Sequence, residues 1–347
     1  MELALYCPNY GYYEQKRDTP GKRGDFYTSV SVGALFGELL AFQFAEWLEQ
    51  LPIADCRLPI VEAGAHDGRL AKDILNWLKL QRPTLFERIE YWILEPSTRR
   101  QEWQRETLED FAPHVRWEAS HLTPHASRLN GIIFSNELLD AMPVHRLGWD
   151  AQRRLWFEWG VTILSERFDW CRLPNSVPAT RHPPPAAIAP ELLEILPEGF
   201  TIEICPAAET WWREAAARLQ HGKLVTLDYG LSAEEFFAPQ RRDGTLRAYR
   251  QHQICGDVLA NPGDQDLTAH VNFTALQQAG EAVGLKTESL LTQAQFLTRI
   301  GARAWSPENN FGVWSQERSR QLQTLTHPQH LGRAFRVLVQ ARGDCSS

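Results

Sequence analysis

The stretch Pro59-Ile60-Val61-Glu62-Ala63-Gly64-Ala65-His66-Asp67-Gly68 decides the fold class. A short apolar run ends in an acid, and two glycines bracket the turn that follows. From Arg69 to Leu80, the residues Leu70, Ile74, Leu75 and Leu78 fall on one helical face. A strand, a glycine turn and a helix present backbone N–H groups to a ligand. Gly64 lets a ligand approach the backbone, and Gly68 lets the helix pack closely. Ala65 and Asp67 lie between them, with His66 where a third glycine would be expected. A plain structural turn is the alternative reading. No Lys-Ser or Lys-Thr closes the turn, so it is not a triphosphate P-loop.

Working outward, strands and helices alternate. Ile89–Leu94, Val115–Glu118 and Gly131–Ser135 read as further strands, with helices over about 32–51, 69–80 and 98–110. Ser29 or Ser31 is the expected N-cap of the first helix, and Ser97 or Thr98 of the third. The rhythm returns with a helix over 207–219, a strand Lys223–Leu227, a helix over 272–283, and strands Lys286–Leu291 and Phe335–Gln340. This predicts an α/β fold with a doubly wound, mostly parallel sheet. Two stretches break the pattern, about 143–205 and 231–270, and read as insertions after strands four and five. In the first, Val144–Trp149 and Arg154–Trp159 alternate like antiparallel strands, and Pro174–Pro190, rich in proline, reads as an exposed loop. Residues 1–55 form an N-terminal loop and helical cap, and 56–347 the main domain.

Composition narrows the function. The chain has 347 residues, 43% apolar and 23% charged, with a net charge of −7 and a pI near 5.9. Such a chain can bury a core, and its acidity argues against a nucleic-acid partner. No apolar run approaches the roughly 20 residues of a membrane helix, and the N-terminus lacks the features of a signal peptide. Six cysteines lie far apart, which suits free thiols in a cytoplasmic protein. His121/His125 and His327/His330 lack a matching second pair, so no metal is expected. Thirteen tryptophans, including Trp211-Trp212 and the 149–159 cluster, suit a core or a homodimer surface.

The site residues follow from the rule that ligands of open α/β sheets bind beyond the carboxyl ends of the strands. Glu62 ends the first strand. Glu95 ends the second, where an acid can accept both hydroxyls of a ribose. Acids at both strand ends suit a cationic nucleoside better than a pyrophosphate, and S-adenosyl-L-methionine has that chemistry. The fourth strand runs into Asn136-Glu137-Leu138-Leu139-Asp140, where Glu137 and Asp140 share a face if a helical turn begins. A helix start capped by these residues is the structural alternative. Asp228-Tyr229 ends the fifth strand at the same crevice. Arg247 and Tyr249 could receive a substrate or staple their loop. His270 could act as a base or be a structural histidine. Asp25 and Thr28 could close over the cofactor or simply form a turn.

In combination these blocks resemble the MidA family of S-adenosylmethionine-dependent methyltransferases. The resemblance rests on Tyr6 and Gly11-Tyr12-Tyr13, Gly24 to Ser29, Phe36-Gly37-Glu38-Leu39, Glu62 to Gly68, Glu95-Pro96 and Asn136 to Pro143. It continues through Asp228-Tyr229-Gly230, Gly244 to Tyr249, Asp266 to Phe273, His327-Pro328 and Phe335 to Leu338. It implies a class I methyltransferase sheet of order 3-2-1-4-5-7-6 with the last strand antiparallel. It also implies methyl transfer to a protein arginine, with Glu137 and Asp140 flanking the guanidinium and a respiratory-complex subunit as a possible substrate. A methyltransferase for another acceptor, or a non-catalytic assembly chaperone on this scaffold, are the alternatives. The sequence departs from the family in two places. His66 replaces the middle glycine of the cofactor loop, and relatives carry a longer stretch before Tyr6.

Overall fold

The computed structural model describes residues 1–15, 28–52, 57–118, 128–173, 190–250, 253–306, 308–309 and 311–343. Asp25 and the block around it, His121, His125, Cys56, Cys345 and all of the proline-rich loop but Pro190 lie outside the described residues. Seven strands form the main path of the central sheet. They are β1 (Leu58–Ala63), β2 (Ile89–Leu94), β3 (Val115–Glu118), β4 (Leu129–Asn136), β5 (Leu219–Leu231), β6 (Lys286–Thr292) and β7 (Phe335–Arg342). Their order is β3-β2-β1-β4-β5-β7-β6, and only β7 runs antiparallel to its neighbours on this path. This is the order the resemblance implied.

Alternation along the strands divides the core in two. Ile60, Ile132, Phe134, Val337 and Val339 face one layer, packed by α1 (Leu35–Glu49) and α2 (Arg69–Gln81). Val61, Ala63, Ile133, Leu224 and Leu338 face the other. All six residues of β1 are buried, as expected of a strand covered on both faces. After β2 comes α3 (Thr98–Thr107), with Ser97 as its cap: Ser97 Oγ accepts from the Arg100 N–H.

Several expectations need correction. The first helix is two. A short turn, Ser29–Val32, is capped by Thr28 in a reciprocal box with Ser31, and α1 starts at Leu35. Gly33 separates them at φ +144°, where a Cβ would run into the side chain of Gln321. The first insertion carries four strands, His145–Asp150, Leu155–Leu164, Arg167–Arg172 and Thr201–Ile204, where two were expected. Its missed hairpin turns at Ser165-Glu166, both at positive φ without glycine or asparagine to signal it. The second insertion holds a three-stranded sheet, Arg247–Arg250, Gln253–Cys255 and Asp266–Thr268.

Four more helices complete the cover: α4 (Pro206–Arg218), α5 (Phe273–Ala282), α6 (Gln293–Ala304) and α7 (Gln316–Thr326). The sequence reading missed the last two. Of the tryptophans that suited a core or a homodimer surface, Trp212 is fully buried and Trp149, Trp156 and Trp211 nearly so, while Trp159 is half-buried. The four described cysteines, at 7, 171, 205 and 255, are free thiols.

Candidate active site

The carboxyl ends of β1, β2, β4 and β5 open into one cavity of about 1960 Å³. Pockets for one small ligand are usually about 300–1,000 Å³, so this one has room for two.

On the β1 side, Gly64 turns the chain at φ +77°, and a Cβ there would press to 2.9 Å from Leu138 Cδ1. Ala65, His66 and Asp67 line the cavity. Gly68 does not. It begins α2 at φ +84°, and a Cβ there would meet Leu108 and Gln104, so it serves packing alone. Burial raises Asp67, but the His66 hydrogen bond and charge and Arg69 outweigh it and hold the carboxylate below its usual range. Arg69 Nε lies 2.8 Å from Asp67 Oδ2. Glu62 faces the cavity, buried, and accepts from Tyr91 Oη at 2.7 Å. Burial pushes it up to about 7, against the pull of Tyr91.

His66 itself sits at φ +46°. A side chain in the left-handed region carries a strain of about 1–2 kcal/mol that glycine escapes. His66→Gly is therefore expected to keep or improve cofactor affinity. Titration calorimetry checks this; a tenfold loss would show that the imidazole itself holds the ligand.

Glu95 is where the sequence placed it, lining the cavity, but it has company. Its Oε1 accepts from the Ser97 N–H (2.9 Å) and pairs with Arg100 (3.0 Å), and Oε2 accepts from Gln104 Nε2 (3.2 Å). Arg100 also reaches Glu14 (3.6 Å), whose carboxylate accepts from Ser97 Oγ (2.8 Å). The turn Tyr12–Gln15 is thereby fastened over this end of the cavity. Sequence reasoning missed Glu14, Arg100 and Gln104, although Glu14 directly follows a block that carried the resemblance.

On the β4 side, the chain leaves the sheet at Asn136. Glu137 stands at φ +51°, and its N–H donates to the Leu227 carbonyl at 2.9 Å. A non-glycine residue held there by its surroundings marks a functional turn. The Ser29 N–H (3.1 Å) and Asn136 Nδ2 (3.2 Å) both donate to Glu137 Oε1. Asn136 Oδ1 is buried with no partner among the described residues. Burial and then Asp228 push Glu137 up to about 8. Asp140 lines the cavity too, raised well above the usual range by burial, then by Asp228, Asp266 and Glu137.

Asp228 does not line the cavity, which corrects its expected place at the chemistry. It is fully buried. Its Oδ2 accepts from the N–H groups of Leu138 (3.2 Å) and Leu139 (2.8 Å), and Oδ1 from that of Tyr229 (2.8 Å). Burial raises it to about 7 in spite of these donors. It holds the turn that carries Glu137 and Asp140. Tyr229 does face the cavity, its ring tilted against Phe335.

Arg247, Tyr249, Thr268 and His270 line the far wall. The His270 N–H donates to Thr245 Oγ1 at 3.1 Å, while its Nδ1 is buried without a partner among the described residues. Burial, then Arg241 and Arg247, lower it to about 4, so the ring is neutral at pH 7. Arg247 donates to its own loop at the Leu246 carbonyl (2.8 Å). Tyr13 and Asp266, which sequence reasoning did not place in the site, complete this wall.

The raised carboxyls give the fold a pH signature. Glu62, Glu137 and Asp228 titrate near 7–8 in the fold against about 4 to 4.5 as ordinary side chains. Between those values the fold binds more protons than the unfolded chain, so stability falls as pH rises through that window. Without ligand, the protein is expected to melt at a higher temperature at pH 6 than at pH 8. The opposite order would contradict these protonation states.

Known proteins resemble this chain in sequence and fold. Residues 39–291 match a family described as S-adenosyl-L-methionine-dependent methyltransferases. The chain belongs to that family. It is 28% identical over 323 residues to the mitochondrial protein arginine methyltransferase NDUFAF7 of Danio rerio, covering 87% of this chain and 72% of the relative. With the Drosophila melanogaster homologue the figure is 27% over 377 residues, covering 99% and 80%. A methyl transferase superfamily structure from Burkholderia thailandensis, bound to S-adenosyl-homocysteine, aligns with a TM-score of 0.80 and 31% identity, covering 98% of this chain and 86% of that one.

The chain is thus an S-adenosyl-L-methionine-dependent methyltransferase with a class I fold. The residues present fit that cofactor. The orphaned Asn136 Oδ1 and the Glu62 carboxyl are groups that would accept from an ammonium group, and Glu95 is a group that would accept from a ribose diol. The cytoplasmic location expected from the sequence is overturned, since the NDUFAF7 relatives are named mitochondrial proteins. Among the described residues, no helix is long and apolar enough to cross a membrane.

Proposed function

We propose that this enzyme transfers the methyl group to a guanidino nitrogen of an arginine in a protein substrate. One observation carries the reading: the acceptor end of the cavity is lined by half-buried Glu137 and buried Asp140 and Asp266, each near its acidic neighbours. Such a wall favours a cation, and arginine's planar fork can bridge two carboxyl groups. The NDUFAF7 relatives are named protein arginine methyltransferases, which supports the same acceptor. The family resemblance adds a respiratory-complex subunit as the candidate substrate.

The cofactor supplies an electrophilic methyl on a sulfonium. The protein's task is alignment and exclusion of water. Glu137 and Asp140 hold the guanidinium and turn one nitrogen towards the methyl. The methylated group must shed a proton to remain a monocation, and Glu137, poised near 8, is matched to accept it at neutral pH. Neutral His270 is a second acceptor on the opposite wall.

Binding of S-adenosyl-homocysteine by calorimetry tests the cofactor half of this reading. Glu95→Ala is expected to weaken it by about 1–3 kcal/mol, the effect of losing hydrogen bonds to a charged acceptor. Unchanged affinity in a folded variant would remove Glu95 from the ribose site.

A further inference from the structure

The inserted sheet is a wall with two chemically different faces. Arg247 and Tyr249 alternate with Ala248 on one strand, and Asp266 and Thr268 with Leu267 on its antiparallel partner. Ala248 and Leu267 are buried with Leu5 and Tyr12 of the N-terminal segment. Arg247, Tyr249, Asp266 and Thr268 all line the cavity. Alternation thus turns this polar face towards the ligands. The wall is tied to the β4 turn, because the Ala269 N–H donates to the Asp140 carbonyl at 2.9 Å. It is tied to the N-terminus as well: Tyr13 Oη donates to Asp266 Oδ1 at 2.7 Å, and Tyr6 Oη donates to the Ala141 carbonyl at 3.0 Å. Asp266 is only 2% exposed and lines this cavity.

We propose that Asp266 is an acceptor-binding carboxylate, gripping the arginine guanidinium together with Glu137, and that Tyr13 is the residue that positions it. The inference rests on the arginine reading above and adds to it. Asp140 is raised well above the usual carboxyl range by burial, then by Asp228, Asp266 and Glu137, so a cation that enters here meets a crowded acidic cluster. A guanidinium between the β4 turn and this sheet meets a carboxyl group from each, Glu137 and Asp266. Because Tyr13 belongs to the segment that Glu14 and Arg100 fasten down, that segment completes the acceptor site instead of only covering the cofactor.

The test uses the whole protein saturated with S-adenosyl-homocysteine, and capped arginine (acetyl-arginine methylamide) as the probe, read by calorimetry. The wild type is expected to bind the probe. Asp266→Asn should weaken it by about tenfold or more while S-adenosyl-homocysteine affinity stays within about twofold, which also reports a folded protein. Tyr13→Phe removes the donor that favours ionised Asp266, so the midpoint of probe binding against pH should move upward. The charged and titratable groups around Asp266 are unchanged in that variant: Tyr6 on the short N-terminal helix Glu2–Tyr6, Glu137 and Asp140 on the β4 turn, Arg247 and Tyr249 on the neighbouring strand. A purely structural Tyr13 would not move this midpoint. Wild-type affinity in Asp266→Asn, or an unmoved midpoint in Tyr13→Phe, would overturn the assignment and leave the arginine reading standing. A wild type that binds capped lysine but not capped arginine would overturn both.

Discussion

Glu137→Gln is expected to lower the rate of methyl transfer to arginine by about 10²–10³, the range seen when one electrostatic group aimed at the reacting centre is removed. The substitution keeps the size and the Oε1 acceptor for the Ser29 N–H and Asn136 Nδ2, so the turn should persist. What it removes is the ability to become a carboxylate and take the proton that the methylated guanidinium sheds. The loss should therefore fall on turnover, with S-adenosyl-homocysteine affinity changed by no more than a few fold. The wild-type rate should also rise with pH towards about 8 as Glu137 ionises, and that rise should vanish in the variant. Retained turnover with a retained pH rise would move the proton acceptor elsewhere, His270 being the next group on the cavity wall.

Asp228→Ala should act on the fold. Three backbone N–H groups, of Leu138, Leu139 and Tyr229, lose their acceptor inside a buried strand end. At about 1–3 kcal/mol for each unsatisfied buried donor, a loss of about 3 kcal/mol or more in unfolding free energy follows. Urea denaturation would measure it. Because Asp228 also anchors the Glu137–Asp140 turn, activity should fall even at temperatures where the variant stays folded. A loss below about 1 kcal/mol would show that water or a shifted turn replaces the carboxylate with ease.

What the sequence made legible was local and periodic. β2 and β3 carry their expected bounds because β-branched and aromatic runs are stopped by Glu95-Pro96 and by polar residues. Glu62, Glu95 and Asn136 to Asp140 were legible because strand ends are where such a sheet binds ligands, whatever the details of packing. Asp228 obeyed the same rule and still points away from the cavity, because the main-chain donors of the neighbouring turn claim its carboxylate while Tyr229 takes the wall. That choice depends on two N–H groups about 90 residues distant, which no strand pattern encodes.

The pairs Tyr13–Asp266 and Glu14–Ser97 were illegible for the same reason, joining residues 253 and 83 positions apart. The helix α6 is a different kind of omission. Thr292 and Gln295 form a reciprocal capping box, and Phe296, Leu297 and Ile300 lie at helical spacing, so its signal was present in the sequence. The hairpin at Ser165-Glu166 lacked a signal altogether, since neither residue is one that usually takes positive φ.

The central claim is methyl transfer to arginine at the acidic end of this cavity. The most direct measurement is mass spectrometry of proteins that co-purify with the enzyme, after incubation with isotopically methyl-labelled S-adenosyl-L-methionine. Wild type and Glu137→Gln are run side by side, and the labelled site is located by fragmentation. The account predicts label on arginine side chains with the wild type and little or none with the variant. Label on lysine, on a carboxylate or on a small molecule, or equal arginine label with both proteins, would contradict it.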